Sequence, residues 1–167
     1  VHIATNDPNP LVNGKGVAEL EGAGLSIHQD ECSEEAEEVT EAYIKFVTTG
    51  LPFVVAKFAM SLDGKIAASS GDSKWISSED ARYYARELRQ WNDAIIVGIG
   101  TILDDDPRLT ARDGDGSPRA KQPVRIVVDT SARVPLSAQL FREPGPLLVV
   151  TARATKNRTE ALRGAGA

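Results

Sequence analysis

The turn Gly98-Ile99-Gly100-Thr101 closes an apolar run and is followed at once by three carboxylates, Asp104, Asp105 and Asp106. Two glycines after a strand let the backbone approach a pyrophosphate, and free N–H groups at a following helix start bind phosphate. The dinucleotide fingerprint asks for a third glycine at position 103, where this chain has Leu103. Spacing alone therefore describes a tight strand-to-helix turn equally well. Three adjacent carboxylates suggest a divalent cation, but no His or Glu ligand stands at a recognisable spacing from them. Helix capping and a hydrogen bond to a ligand hydroxyl are the uses their position predicts. Arg82, Arg86 and Arg89 share one helical face, and Arg108 and Arg112 come shortly after the glycine turn. Arginine suits bidentate capture of phosphate, and a phosphorylated ligand would use two of these five. The plainer expectation for the helical three is a solvated stripe. His2 and His28 are isolated from any nucleophile or base and read as packed or surface residues.

These groups need elements to hold them. Val1–Thr5 and Leu25–His28 read as short strands around a helix from Gly14 to Leu20, with turn chemistry at Asp7-Pro8-Asn9-Pro10. Ser33 is placed to cap a helix carrying Ala36, Val39, Tyr43, Phe46 and Val47 at helical spacing. The seven acidic residues between Asp30 and Glu41 read as its solvated face. Phe53–Met60 is a nearly continuous apolar run of strand length, which predicts a strand buried on both faces. Ser77–Asp93 predicts a helix with a Ser77/Asp80 capping box and an apolar stripe of Ala81, Tyr84, Ala85, Leu88 and Trp91. Ala94–Val97, Val124–Asp129 and Leu147–Thr151 predict three more buried strands. Strands alternating with helices imply a largely parallel sheet covered on both sides. The Gly-, Asp- and Pro-rich stretch between Arg112 and Pro123 is long enough to predict a functional or mobile loop.

With 167 residues, 41% hydrophobic and 26% charged, the composition excludes intrinsic disorder and leaves room for a real core. A net charge of −5 argues against nucleic acid or an anionic membrane as partner, and one cysteine, Cys32, cannot form an internal disulfide. No apolar run approaches the roughly 20 residues of a membrane-spanning helix, so a cytoplasmic protein is expected. Charge is uneven, net −8 over residues 1–50 and net +3 over residues 51–167, which predicts two segments of different origin. The start at Val1 and the finish on a helix stop, Arg163-Gly164-Ala165-Gly166-Ala167, predict a piece of a longer chain.

Four stretches together are specific: Lys57-Phe58-Ala59-Met60-Ser61-Leu62-Asp63-Gly64-Lys65-Ile66-Ala67, Ser73-Lys74-Trp75-Ile76-Ser77, Asp93–Thr101, and Asp105-Asp106-Pro107-Arg108-Leu109-Thr110. In order and spacing they resemble the reductase domain of the bifunctional riboflavin-biosynthesis deaminase/reductase. Asp7-Pro8-Asn9-Pro10, Gly14-Lys15-Gly16 and Gly22-Ala23-Gly24 resemble the tail of that family's deaminase domain, followed by an acidic linker helix. The resemblance implies an α/β fold like dihydrofolate reductase, with a mostly parallel central sheet and helices on both faces, incomplete at its C-terminus. It implies that residues 1–50 are the last α/β elements of a cytidine-deaminase-like domain plus a linker, and residues 51–167 the first part of an NADPH-dependent reductase. The implied reaction is reduction of 5-amino-6-(5-phosphoribosylamino)uracil to the ribitylamino product, with hydride delivered to the sugar C1′.

Carried over motif by motif, cofactor contacts fall on Ala59, Trp75, Thr101, Asp105 and Thr130, and substrate contacts on Ser73, Arg89, Leu109 and Arg112. Trp75 would give an apolar wall, Thr101 and Asp105 would hydrogen-bond the cofactor, and Arg89 and Arg112 would take the phosphate. Lys57 is either a polar aid near the reacting centre or a lysine snorkelling from a strand end. The family's deaminase holds zinc with a His-x-Glu motif and a Pro-Cys-x-x-Cys pair; neither motif is in this sequence, so no metal ligand is assigned and zinc belongs to the missing deaminase part. The resemblance implies a homo-oligomer acting on a phosphorylated pyrimidine. Rival readings are a stand-alone reductase of another pterin or pyrimidine, and a non-catalytic ligand-binding domain.

Overall fold

A computed structural model describes residues 1–167, which divide into two compact units, Val1–Ala56 and Lys57–Ala167. In the first unit, β1 (His2–Ile3) pairs in parallel with β2 (His28–Gln29), and α1 (Lys15–Gly22) and α2 (Ser33–Thr49) complete it. Parallel pairing sets His2 opposite His28 and stacks their rings, with centroids 4.8 Å apart; His2 Nδ1 lies 2.8 Å from Glu31. The two histidines are thus exposed partners rather than isolated residues. Ser33 is not the cap of α2: it is the first helical residue, and Cys32, in a left-handed conformation, holds the cap position without a side-chain bond. Of the apolar positions of α2, Val39, Tyr43 and Phe46 are exposed, while Ala36, Ile44 and Val47 are partly buried.

The second unit contains α3 (Glu79–Trp91), β3 (Ala94–Gly98), α4 (Ile99–Asp105), β4 (Val124–Val128), β5 (Leu147–Val150) and α5 (Lys156–Gly164), with a 3-10 turn at Gln139–Arg142. The sheet runs β3-β4-β5, all parallel, with Gly98 opposite Val128 and Val128 opposite Val150. The parallel α/β pairing expected from the sequence holds, but burial on both faces does not: Ile96, Leu148 and Val150 are exposed, so one face of these strands lacks the cover the apolar runs predicted. Its core gathers Ile99, Ile102, Leu109, Val127, Val134, Leu140, Leu147 and Leu162.

Phe53–Met60 does not form the expected buried strand. It has no ladder partner, and Val54 and Phe58 are 76% and 70% exposed. An apolar run becomes a strand only when a neighbour takes its N–H and C=O groups, and β3, β4 and β5 pair only with one another. Helix α3 begins one residue later than the capping box suggested: Ser78, not Ser77, caps it by accepting from Ala81 N at 3.2 Å. Its apolar stripe is poorly covered, with Tyr84 and Trp91 exposed and no residue of the helix buried.

One buried cation organises the far end of the sheet. Arg125, in β4, is 1% exposed and donates to the carbonyls of Leu140 (2.6 Å), Glu143 (3.2 Å) and Gly145 (2.7 Å). It fixes the 3-10 turn against the strand, and burial holds its pKa below the ordinary arginine value.

Candidate functional site

The C-terminal ends of parallel strands are where open α/β sheets receive ligands. Here they present Gly98-Ile99-Gly100-Thr101 after β3, Asp129-Thr130 after β4 and Thr151-Ala152-Arg153 after β5, side by side in the observed register. Neither glycine is needed by the protein itself. Gly98 has an ordinary extended backbone (φ −77°), and a Cβ built at Gly98 or Gly100 would meet nothing within 4 Å. The tight-turn explanation therefore lacks a steric basis, and the open backbone leaves room for a ligand. Thr101, Asp105 and Thr130 are exposed around it.

The three carboxylates do not cap the start of α4. Asp104 and Asp105 lie in its last turn, and Asp106, at φ 43°, ends it. Asp105 pairs with Lys74 at 3.5 Å, while Asp106 accepts from the Gln139 backbone N at 2.9 Å. Lys74 belongs to a loop that encloses an open cavity of about 610 Å³, lined by Ser61, Asp63, Lys65, Ser73, Trp75 and neighbours. The Lys74–Asp105 pair thus ties the loop carrying Ser73 and Trp75 to the end of α4. Trp75 is 73% exposed, and the Arg82 guanidinium lies 4.3 Å from its ring centroid while donating to the Ser77 carbonyl. Arg82 is therefore a support for Trp75 rather than a solvated charge, a role the helical spacing did not reveal.

The other arginines converge. Arg89 is held below its ordinary pKa first by burial, then by Arg112 and Arg86. Arg112 is lowered first by burial, then by Arg108 and Arg86, with Glu143 acting in the opposite sense. Four guanidinium groups thus share one field, with few counter-charges: Glu143 pairs with Arg108 at 3.2 Å. Arg89 donates one bond, to the Thr110 carbonyl at 3.2 Å. The buried Nε of Arg112 and Oγ1 of Thr110 have no partner. Buried polar groups left unpaired beside mutually repelling cations are costly unless something else satisfies them. An anion does both. Arg86 and Arg108 extend the pair that the family motifs selected; their signal was the shared helical face and the nearness of Arg108 to Arg112 in sequence.

Leu109 reaches this region differently. The whole residue is 2% exposed in the core, and its backbone is left-handed at φ 59°, a conformation costing a non-glycine residue about 1–3 kcal/mol. Backbone and side chain together are covered, so the expected substrate contact at Leu109 finds no surface open to a ligand in this structure. Ala59 is half-buried, and Lys57 is exposed in the unpaired Phe53–Met60 segment without an ion pair. The long loop after Arg112 is pinned: Arg119 pairs with Glu87 and Asp113 at 2.8 Å each, and Gln122 bonds both backbone groups of Ala111. No three His, Cys, Asp or Glu side chains group as a metal site, and no helix is long and apolar enough to cross a membrane.

The family model of the RibD C-terminal domain matches residues 52–163. The riboflavin biosynthesis protein RibD of Aquifex aeolicus is 44% identical over 152 residues, which is 90% of this chain and 42% of that protein. Its counterpart from Bacillus amyloliquefaciens is 45% identical over 153 residues, 91% of this chain and 40% of that one. Among solved structures, the diaminohydroxyphosphoribosylaminopyrimidine deaminase/5-amino-6-(5-phosphoribosylamino)uracil reductase of Thermotoga maritima superposes with a TM-score of 0.78 at 36% identity, over 95% of this chain and 45% of that one. Acinetobacter baumannii RibD gives 0.77 at 35% identity, over 96% and 46%. The chain spans less than half the length of these relatives.

Proposed function

The chain belongs to the RibD C-terminal domain family, and from that membership we propose that it supplies the reductase site for 5-amino-6-(5-phosphoribosylamino)uracil in riboflavin biosynthesis, within a protein that also deaminates the preceding pyrimidine. The observation that carries this reading is the pair of buried, unpartnered polar atoms, Arg112 Nε and Thr110 Oγ1, beside Arg89, which donates to the Thr110 carbonyl, in a region where Arg86 and Arg108 add further positive charge. A phosphate ester is the ligand such a field accepts: planar guanidinium groups match its oxygens, and its charge offsets their repulsion. Residues 1–50 would then be the end of the deaminase domain with its linker helix, and residues 51–167 the first part of the reductase. The family model beginning at residue 52, with relatives aligned to most of the chain, supports this division.

NADPH, when bound, supplies the hydride. The residues that would hold it are Ala59, Trp75, Thr101, Asp105 and Thr130, and the open backbone at Gly98 and Gly100 fits a group that must approach closely. Arg82 steadies the Trp75 ring as an apolar wall, and Lys74 orients the Asp105 carboxylate. Ser73, Arg89 and Arg112 would place the substrate, with the phosphate end anchored so that the sugar is presented in one orientation. The protein's work is binding and alignment; the cofactor brings the chemistry.

The test is substrate-dependent loss of NADPH absorbance in the protein expressed from its complete gene. Oxidation that requires the phosphoribosylamino uracil is expected. Oxidation of NADPH with an unphosphorylated pterin but not with this substrate would point instead to a stand-alone reductase.

A further inference from the structure

Arg153 has no ion pair and its side chain is exposed. It is distinguished from the other free cations by position. The Thr130 carbonyl accepts both Ala152 N at 3.1 Å and Arg153 N at 2.7 Å, so Arg153 and Thr130 are locked side by side at the ends of β5 and β4. On this sheet, β4 neighbours the strand that carries the glycine turn. In dinucleotide-binding α/β sheets that position reads the adenosine ribose, with an acid accepting from a 2′-hydroxyl or an arginine meeting a 2′-phosphate.

The acid is present but withdrawn. Asp129 follows β4 with 0% exposure; its Oδ2 accepts from Val134 N at 2.9 Å, while the buried Oδ1 has no hydrogen-bond partner and lies 3.8 Å from the Arg133 guanidinium. A carboxylate turned inward to hold the following loop cannot reach a ribose hydroxyl, nor does it stand in the way of a phosphate. The loop it holds is braced further by Arg158, which donates to the carbonyls of Ala132 and Val134. Arg158 is therefore committed, and Arg133 is partly so. What faces solvent at this corner is the Thr130 and Ser131 side chains with the unpaired Arg153 guanidinium.

We propose that Arg153, fixed beside Thr130 at the ends of β5 and β4, selects NADPH over NADH by binding the 2′-phosphate of the adenosine ribose. This rests on the cofactor reading above and adds the residue that sets its specificity. A guanidinium at an exposed corner gives a charge-assisted contact whose loss weakens binding by roughly tenfold or more.

The experiment measures binding of 2′,5′-ADP and 5′-AMP by calorimetry, alongside NADPH and NADH, in the complete protein and its Arg153→Ala and Arg153→Lys variants. The two nucleotides differ only in the 2′-phosphate. Expected is a loss of about tenfold or more in 2′,5′-ADP affinity for Arg153→Ala, with 5′-AMP unchanged and partial recovery in Arg153→Lys. Unchanged 5′-AMP binding also shows that the variant is folded. NADPH binding to the parent protein, with 2′,5′-ADP affinity the same in Arg153→Ala, overturns this assignment alone. Failure of the parent protein to bind either NADPH or NADH overturns the cofactor reading and this assignment with it.

Discussion

Replacing Arg89 by alanine separates an anion site from a structural arginine, because the two roles predict opposite balances of stability and activity. In the structure Arg89 makes a single long hydrogen bond, 3.2 Å to the Thr110 carbonyl, and is opposed by Arg112 and Arg86. Its removal forfeits about 1 kcal/mol of hydrogen bonding and relieves repulsion among the remaining guanidinium groups. The net change in stability should stay within about 1 kcal/mol, a melting shift of no more than about 2–4 °C for a protein of this size. Loss of a charge-assisted contact to substrate phosphate costs about 2 kcal/mol, which is roughly 30-fold in kcat/KM. Steady-state kinetics of the complete enzyme measure that figure, and thermal melting with and without inorganic phosphate measures the other. Arg163→Ala, an exposed position in the last turn of α5, is the control and should stay within about 0.5 kcal/mol of the parent. A kcat/KM for Arg89→Ala as close to the parent as that control refutes the phosphate role. So does a large melting loss with phosphate stabilisation retained, which would make Arg89 a packing residue.

Arg82→Ala removes the guanidinium stacked on Trp75, and an exposed cation–π contact is worth about 0.5–1 kcal/mol. NADPH affinity should fall two- to fivefold, by about that energy, with substrate KM little changed; equal losses in both would place Arg82 with the arginines proposed to bind phosphate instead. Arg125→Met removes three carbonyl partners from a fully buried position, and should cost about 3 kcal/mol, read from the midpoint of urea unfolding. A midpoint within error of the parent would show that the 3-10 turn is held by its apolar contacts alone.

The sequence made the sheet legible because β3, β4 and β5 are short apolar runs bounded by strong turn signals, and each is paired as a parallel strand must be. It was misleading at Phe53–Met60 for a physical reason: apolar character records a preference for burial, whereas strand formation also requires a neighbour with free backbone groups. The helix caps were off by one residue at both Ser33 and Ser77. Adjacent polar residues, Cys32-Ser33 and Ser77-Ser78, offer the backbone two starting points, and only the local dihedrals decide between them. The stripe on α3 was read correctly as amphipathic, yet the exposure of Tyr84 and Trp91 shows that periodicity names a face without saying what covers it.

At the candidate site, motif order nominated the residues while geometry assigned their partners. Arg89 and Arg112 were legible as a pair, but the field they share with Arg86 and Arg108 depends on how α3 and the segment after α4 pack, which no spacing rule encodes. The contacts of Lys74 and Arg82 were not legible for a related reason: each touches a candidate site residue, Asp105 or Trp75, through a contact that is distant along the chain or crosses from a loop to a helix. The same logic applies to Asp129. By type and place it looks like an acid at a strand end awaiting a ribose, and only its full burial, with Oδ2 held by Val134 N, shows that it is turned into the loop. Residue type sets what a side chain can bind; the partners already taken in the fold decide what it still has free to offer.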